Sequence, residues 1–167
     1  MIICKDATLE QNIEWENLFD QAAASFEVAM PGKSKAEVKE HLLPRYQSRL
    51  NKNNYFNLLY YENGQQIGIT IARVQDTTWH IMASIIGNDK SNSKAWLFSD
   101  EAILATNKAL LAKGITSVEV YFPPNNNVYD TWGQNNSQYH TNIKIEQIND
   151  PEHSLNGYYK MNYDLIE

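Results

Sequence analysis

The sequence is poor in cysteine and arginine and has no long apolar run, and each shortage excludes a class of protein. Cys4 is the only cysteine among 167 residues, which rules out an intramolecular disulfide and a cysteine-rich zinc site. Only 3 of the 14 basic residues are arginine and the formal net charge is −6, which argues against a nucleic-acid partner. No apolar stretch approaches the roughly 18 residues of a membrane-spanning helix.

The rest of the composition is typical of a soluble globular protein. Hydrophobic residues make up 43% and charged residues 20%, and the length suits a single domain covering residues 1–167. The first residues lack the basic-then-apolar pattern of a secretion signal. We therefore expect a cytoplasmic protein, monomeric or homodimeric, with neither a membrane nor a nucleic-acid partner.

A short edge strand and two helices are predicted for the first third of the chain. The strand covers residues 1–5. Thr8 and Gln11 have the spacing of a capping box, and apolar residues at helical spacing follow, which predicts a helix over 8–26.

A second capping box precedes another helical pattern. Ser34 and Glu37 form it, and the apolar stripe that follows extends to Leu50. Pro44 lies inside this pattern and is expected to kink or divide the helix.

From Tyr55 the hydrophobic period changes from helical to two. Residues 55–61 and 65–74 flank the dipeptide Asn63-Gly64, which is the strongest short signal for a β-hairpin. A second tight turn leads into residues 79–86. The pattern predicts an antiparallel meander of three strands.

A crossover is predicted next. Apolar pairs spaced by seven residues favour a helix that begins near Ser93, and Lys113 and Gly114 provide its stop signals. Residues 115–122 alternate as a strand. Short connections on both sides of the helix make this strand parallel to strand 79–86.

The last part of the chain predicts a short helix within 125–137 and closing strands at 142–148 and 157–165. The fold class is therefore α/β (α+β), with a mixed, mostly antiparallel sheet of about six to seven strands, a β-α-β crossover and flanking helices. This order of elements resembles the GNAT superfamily of N-acetyltransferases, and the resemblance covers essentially the whole chain.

The resemblance implies an enzyme that transfers an acetyl group from acetyl-CoA, its co-substrate, to a small-molecule or peptide amine. In this family the strands on either side of the crossover helix splay into a V-shaped slot, and the pantetheine arm pairs there with free backbone groups. The pyrophosphate lies on the N-terminus of the crossover helix. The amine attacks the thioester directly, with a base to take its proton and a tyrosine to protonate the departing thiolate.

Carried onto this chain, the resemblance places the slot strand at 79–86, with its last two residues nearest the thioester. The pyrophosphate loop follows, and it has no glycine after Gly87. If the crossover helix instead begins at Ser99, its first turn carries Asp100 and Glu101, which repel phosphate. The residues implied for cofactor binding are Ile85, Ile86, Gly87, Lys90, Ser93, Lys94, Ala95 and Asn125.

The candidate catalytic residues are His80 and Tyr129. His80 is a candidate base because imidazole titrates near neutral pH, and its alternative role is that of a half-buried strand residue. Tyr129 is implied as the general acid, although the family's usual tyrosine position holds Trp132 here. Glu119 and Tyr121 share one side of their strand, where they either face the slot or face solvent.

Other titratable residues are expected to have no catalytic or metal role. His140 and His153 are predicted in loops without a partner at metal-ligand spacing, and Cys4 has no neighbouring base.

The resemblance also implies an acidic rim around the acceptor, built from Glu27, Glu37, Glu40 and Asp150.

Two functions remain open at this point. One is an acyl-CoA-dependent N-acyltransferase, and the other is a GNAT-like domain without activity that serves as a binding or assembly module. A different α+β fold with a ligand pocket is a third alternative, and it would not place strand 115–122 parallel to strand 79–86.

Overall fold

A seven-stranded sheet organises the chain. The computed structural model describes residues 1–22, 30–86, 99–122 and 138–166. The strands lie in the order β1-β2-β3-β4-β5-β7-β6, and among these described strands only the β4–β5 pair is parallel. In chain order the elements are β1 (Ile2–Asp6), α1 (Trp15–Gln21), α2 (Lys35–Arg49), β2 (Leu58–Glu62), β3 (Gln65–Gln75), β4 (Thr78–Ile86), α3 (Asp100–Ala112), β5 (Ser117–Phe122), β6 (His140–Gln147) and β7 (Tyr159–Leu165).

The two faces of the sheet pack against different helices. Leu18 of α1 and Val38 of α2 share one buried apolar cluster with Ile71 of β3. On the opposite face Ile103 of α3 packs in a second cluster that includes Trp79. The mixed, mostly antiparallel sheet and its flanking helices confirm the predicted fold class. None of the helices among the described residues is long and apolar enough to span a membrane.

The antiparallel meander is confirmed. Asn63 and Gly64 connect β2 to β3 with φ angles of 52° and 82°, as a two-residue turn with two left-handed positions requires. Asp76 and Thr77 separate β3 from β4. These turns use only local chemistry, which explains why the pattern predicted them.

The prediction for the first helix is wrong at its start. Residues 8–14 form turns, and α1 begins only at Trp15. The cause is a tertiary contact: the side chain of Gln66 accepts from the Glu14 amide at 2.8 Å and donates to the carbonyl of Asn12. Gln66 of β3 thus satisfies two backbone groups of this segment in place of helical hydrogen bonds. Residues 23–29 lie outside the described part of the chain.

The second helix begins as predicted, and Pro44 does not divide it. Ser34 and Glu37 form the reciprocal capping box that opens α2. Pro44 lies within the continuous helix. Its ring is exposed, so the carbonyl one turn earlier, at the exposed Glu40, can bond to water in place of the missing N–H.

The crossover confirms the parallel strand but corrects the start of its helix. α3 begins at Asp100 rather than near Ser93, because Ser99 is the N-cap with an extended backbone (ψ 156°). A serine followed by two acidic residues is a favourable helix start. β5 then pairs in parallel with β4, which excludes the alternative α+β fold.

The closing strands also confirm the prediction, with one correction. β7 lies between β5 and β6 and pairs antiparallel with both. His140, predicted in a loop, is instead the first residue of β6 and is 2% exposed. His153 does lie in the turn-rich connection between β6 and β7. The short helix predicted within 125–137 lies outside the described residues.

Candidate active site

β4 and β5 pair over only three residues and then separate. The parallel ladder joins Thr78, Trp79 and His80 to β5, and His80 faces Glu119 in its last rung. Beyond this rung β4 continues against β3 to Ile86, while β5 continues against β7. Within the described residues, the facing edges of β4 and β5 beyond the rung have no ladder partner. They form a V-shaped slot with its vertex at the His80–Glu119 pair.

A β-bulge in β4 lies just beyond the vertex. Ile81 pairs with Ala72 and Ala83 pairs with Ile71, so Met82 is the extra residue on β4. A bulge increases the local twist of a strand and disrupts regular pairing. It therefore helps to turn β4 away from β5.

Four side chains form a cluster at the vertex. His80 Nδ1 lies 3.4 Å from Glu119 Oε1, and the Tyr121 hydroxyl donates to the same oxygen at 2.7 Å. Lys160 Nζ is 4.0 Å from the other carboxylate oxygen. The side chains of His80 and Glu119 are only 17% and 15% exposed. Partial burial strengthens these electrostatic contacts relative to water.

Strand alternation explains why His80 and Glu119 share a face. The Trp79 indole is buried in the cluster under α3 and donates to the Phe56 carbonyl at 2.8 Å. The next residue, His80, therefore points to the opposite face of the sheet, the face that α1 and α2 cover elsewhere. Glu119 lies between the buried Val118 and Val120 and points the same way.

Tyr121 holds the Glu119 carboxylate in place. Burial and the hydrogen bond to Glu119 raise the pKa of Tyr121 to about 12. The hydroxyl is therefore protonated at neutral pH and donates. This contact confirms that Glu119 and Tyr121 share one side of their strand, and that side faces the vertex.

The N-terminus of α3 carries negative charge. Asp100 and Glu101 occupy the first turn, and both are exposed. Burial and the hydrogen bond to Asp100 raise the pKa of Tyr139. A helix start of this kind offers backbone amides to a phosphate but opposes it with two carboxylates. The slot thus fits a strand-like pantetheine arm, whereas this helix end does not by itself suit a pyrophosphate.

The structure describes only part of the predicted site. Ile85 is buried in the cluster under α1 and α2, so only its backbone is available to a ligand in the slot. Ile86 ends β4. The remaining predicted residues lie outside the described part of the chain: Gly87, Lys90, Ser93, Lys94, Ala95, Asn125 and Tyr129.

Two carboxylates of the expected acidic rim have local structural roles. Glu37 completes the capping box of α2, and Asp150 accepts from the Glu152 amide at 3.0 Å. Glu27 lies outside the described residues.

Sequence reasoning missed the contribution of β7 to the site. Lys160 and Asn162 oppose Tyr121 and Glu119 in the β5–β7 ladder. The alternation of β7 was visible in the sequence, but its place between β5 and β6 was not. Strand order was the missing information.

Neither a reactive thiol nor a metal site is present among the described residues. Burial raises the pKa of Cys4 to about 12, so the thiol is protonated and unreactive at neutral pH. No group of three or more His, Cys, Asp or Glu side chains in the described ranges could hold a metal ion.

Comparison with known proteins supports the fold. No protein-family model matches the sequence, and a search of curated proteins finds no match. Solved structures do match. The PaiA N-acetyltransferase from Thermoplasma acidophilum, in complex with coenzyme A, superposes with a TM-score of 0.59 and 16% identity. The match covers 98% of this chain and 99% of that chain.

Two further structures show the same similarity. The ribosomal-protein-S18-alanine N-acetyltransferase from Escherichia coli has a TM-score of 0.55 and 12% identity, over 99% of this chain and 93% of the other. The aminoglycoside acetyltransferase AAC(6')-Ib, in complex with coenzyme A and kanamycin, has a TM-score of 0.57 and 15% identity, over 97% and 94%. The chain therefore has the fold of the GNAT N-acetyltransferases, as the order of its elements implied.

Proposed function

We propose that this chain is an N-acyltransferase that moves an acetyl group from acetyl-CoA to a small-molecule or peptide amine. The observation that carries the proposal is the separation of β4 from β5 immediately past the His80–Glu119 pair. Among the described residues it leaves two strand edges without a ladder partner, which can bind an extended ligand, and it ends at a histidine next to a carboxylate. Three solved structures of this fold are acetyltransferases, and two of them contain coenzyme A.

The thioester is best placed near the vertex. The implied pyrophosphate site follows Ile86, at the open end of the slot, and His80 lies at the opposite end. Ile85 lies five residue steps along the strand from His80, or about 16 Å. A thioester beside Ile85 and Ile86 would be out of reach of His80. A base at His80 therefore requires the reactive end of the slot to lie beside the vertex.

His80 is the proposed general base. In the tautomer whose Nδ1–H donates a hydrogen bond to Glu119, the imidazole Nε2 has a free lone pair. Nε2 can then take a proton from the attacking amine. Glu119 also stabilises the imidazolium that results. Tyr121 and Lys160 hold Glu119, so the imidazole has a fixed partner throughout. The 3.4 Å contact is long for a hydrogen bond, as is common for catalytic contacts before substrate binds.

The remaining predicted residues stay part of the proposal. Acetyl-CoA, when bound, supplies an activated thioester carbonyl that an amine can attack. Lys90 and Lys94 would offset the phosphate charge, and Tyr129 would protonate the leaving thiolate. Backbone groups of Ile85, Ile86 and Gly87 would hold the arm, and Ser93, Ala95 and Asn125 would complete the site.

Calorimetric titration with acetyl-CoA, followed by a thiol-release assay over a panel of amines, tests this proposal. We expect saturable binding and amine-dependent release of free thiol. Tyr129→Phe should slow release, and Lys94→Ala should weaken binding without changing the rate at saturation. No heat of binding and no thermal upshift at millimolar acetyl-CoA would refute the enzymatic proposal.

The acidic first turn of α3 supports a second candidate, a GNAT-like binding or assembly module without catalytic activity. Asp100 and Glu101 stand where the fold would place the phosphates of a cofactor. The same titration separates the two candidates, because a module of this kind would leave acetyl-CoA unbound.

A further inference from the structure

A polar groove continues from the vertex across the exposed side of β5, β7 and β6. Its volume is about 380 Å³, within the range of small-molecule sites. One row of side chains crosses it on four strands: His80, Glu119, Asn162 and Lys144 oppose one another in turn. Asp164 belongs to the adjacent row, two residues along β7.

The part of the groove nearest His80 is suited to an ammonium group. Glu119 faces His80 there, and Asp164 lines the same groove from the adjacent row, opposite Ser117 and Thr141. The Asn142 amide donates to Asp164 Oδ2 at 2.8 Å, and among the described residues this is the only recorded partner of that carboxylate. Asp164 Oδ1 therefore keeps its lone pairs for a ligand. A cationic amine beside His80 gains from the Glu119 carboxylate before it loses its proton to the base.

The far part of the groove is suited to an anion. Lys144 lines it from β6, and within the described ranges no carboxylate lies within salt-bridge distance of its ammonium group. Lys144 is three strands from His80, about 14 Å between backbones. One ligand that contacts both ends must carry its anionic group several bonds from its amine.

We propose that this groove binds the acceptor and that the acceptor is a small ω-amino acid, with its amine at His80 and Glu119 and its carboxylate at Lys144. The assignment rests on the proposed function for the identity of the reacting amine. The separation of the two ends excludes the α-amine of a free amino acid, whose carboxylate is only two bonds away. It equally disfavours a simple diamine, which would place a second cation beside Lys144.

Two probes of equal shape test the anionic end. 6-Aminohexanoate carries the carboxylate, and 6-aminohexanamide replaces it with a neutral amide. Titration of the full chain, followed through backbone amide chemical shifts, should give saturable shifts at Asn162 and Lys144. We expect 6-aminohexanoate to bind about five- to tenfold more tightly than the amide, since its partner is a partly solvated lysine.

Variants locate the source of this preference. Lys144→Met should bring the affinity ratio close to one, and Lys144→Glu should invert the preference toward 1,6-diaminohexane. Lys108→Met, at an exposed lysine of α3, is the matched control and should keep the wild-type ratio. Equal affinities in the wild type, or no saturable shift, would overturn the assignment of the acceptor.

Failure of the proposed function would look different. Binding with the predicted preference, but without acetylation of 6-aminohexanoate in the presence of acetyl-CoA, would support the groove and contradict the acyltransferase. Acetylation of other amines without any preference for a distant carboxylate would contradict the acceptor assignment and leave the acyltransferase standing.

Discussion

Removing the two carboxylates at the start of α3 should make acetyl-CoA bind more tightly. The perturbation is the double variant Asp100→Asn/Glu101→Gln, which keeps the side-chain shape and one acceptor oxygen of each residue while removing the charge. Both residues lie in the first turn of α3, where the proposed function places the pyrophosphate. Their charges oppose the anion, whereas the backbone amides of the same turn attract it.

The size of the effect follows from Coulomb's law. Two unit charges about 8 Å apart in water interact by about 0.5 kcal/mol, and two carboxylates facing a doubly charged pyrophosphate make four such pairs. Screening leaves most of this repulsion at 10 mM salt and about a third of it at 150 mM. The double variant should therefore bind acetyl-CoA about tenfold more tightly at low salt and about threefold more tightly at physiological salt.

The same substitutions should destabilise the protein. Acidic residues in a first turn stabilise a helix, so the free energy of unfolding should fall by about 1 kcal/mol. Calorimetric titration at the two salt concentrations, together with urea unfolding, measures both effects. Glu40→Gln, at an exposed position in α2, is the control. Unchanged or weaker binding in the double variant would show that the pyrophosphate does not lie at α3.

Three further predictions concern stability and are measured by urea unfolding. Burial lowers the pKa of His140 to about 4, below its value of about 6.5 in an unfolded chain, so its contribution is fully present above pH 6.5 and is lost as pH falls toward 4. The free energy of unfolding should fall by about 3 kcal/mol over this range, and His140→Gln should flatten this part of its pH dependence. An unchanged slope in His140→Gln would contradict the role of His140. Ser34→Ala should cost about 1 kcal/mol, because the Glu37 amide loses its cap, and a cost near zero would mean that α2 does not depend on the cap. Thr106→Val should also cost about 1 kcal/mol, because it removes the 2.9 Å hydrogen bond to the buried Tyr60 hydroxyl; a neutral result would mean that the bond adds nothing to stability.

Elements that depend on neighbouring residues were predictable from the sequence. The turn at Asn63 and Gly64 needs only left-handed backbone positions, and the start of α2 needs only the reciprocal bonds of Ser34 and Glu37. The parallel pairing of β4 and β5 also followed from the order of the elements, because a helix that connects two neighbouring strands of one sheet forms a crossover and makes them parallel.

Elements that depend on distant residues were not predictable. Gln66 delays the start of α1, although it is 52 residues from Glu14 in the chain. His140 is predicted in a loop, two residues before the predicted strand, yet it is buried against the Tyr163 ring, with 4.0 Å between ring centroids. In the site, alternation predicted that His80 faces away from Trp79, but not which carboxylate would lie beside it.

The central claim is that the vertex of the slot is the catalytic centre and His80 its base. The most direct test compares the rate of thiol release at saturating acetyl-CoA and fixed amine in His80→Gln, in His41→Gln and in the wild type. His41 is an exposed histidine of α2 and provides the control. We predict a loss of at least about 100-fold in His80→Gln, with acetyl-CoA affinity unchanged, and wild-type turnover in His41→Gln. Wild-type turnover in His80→Gln would contradict the account.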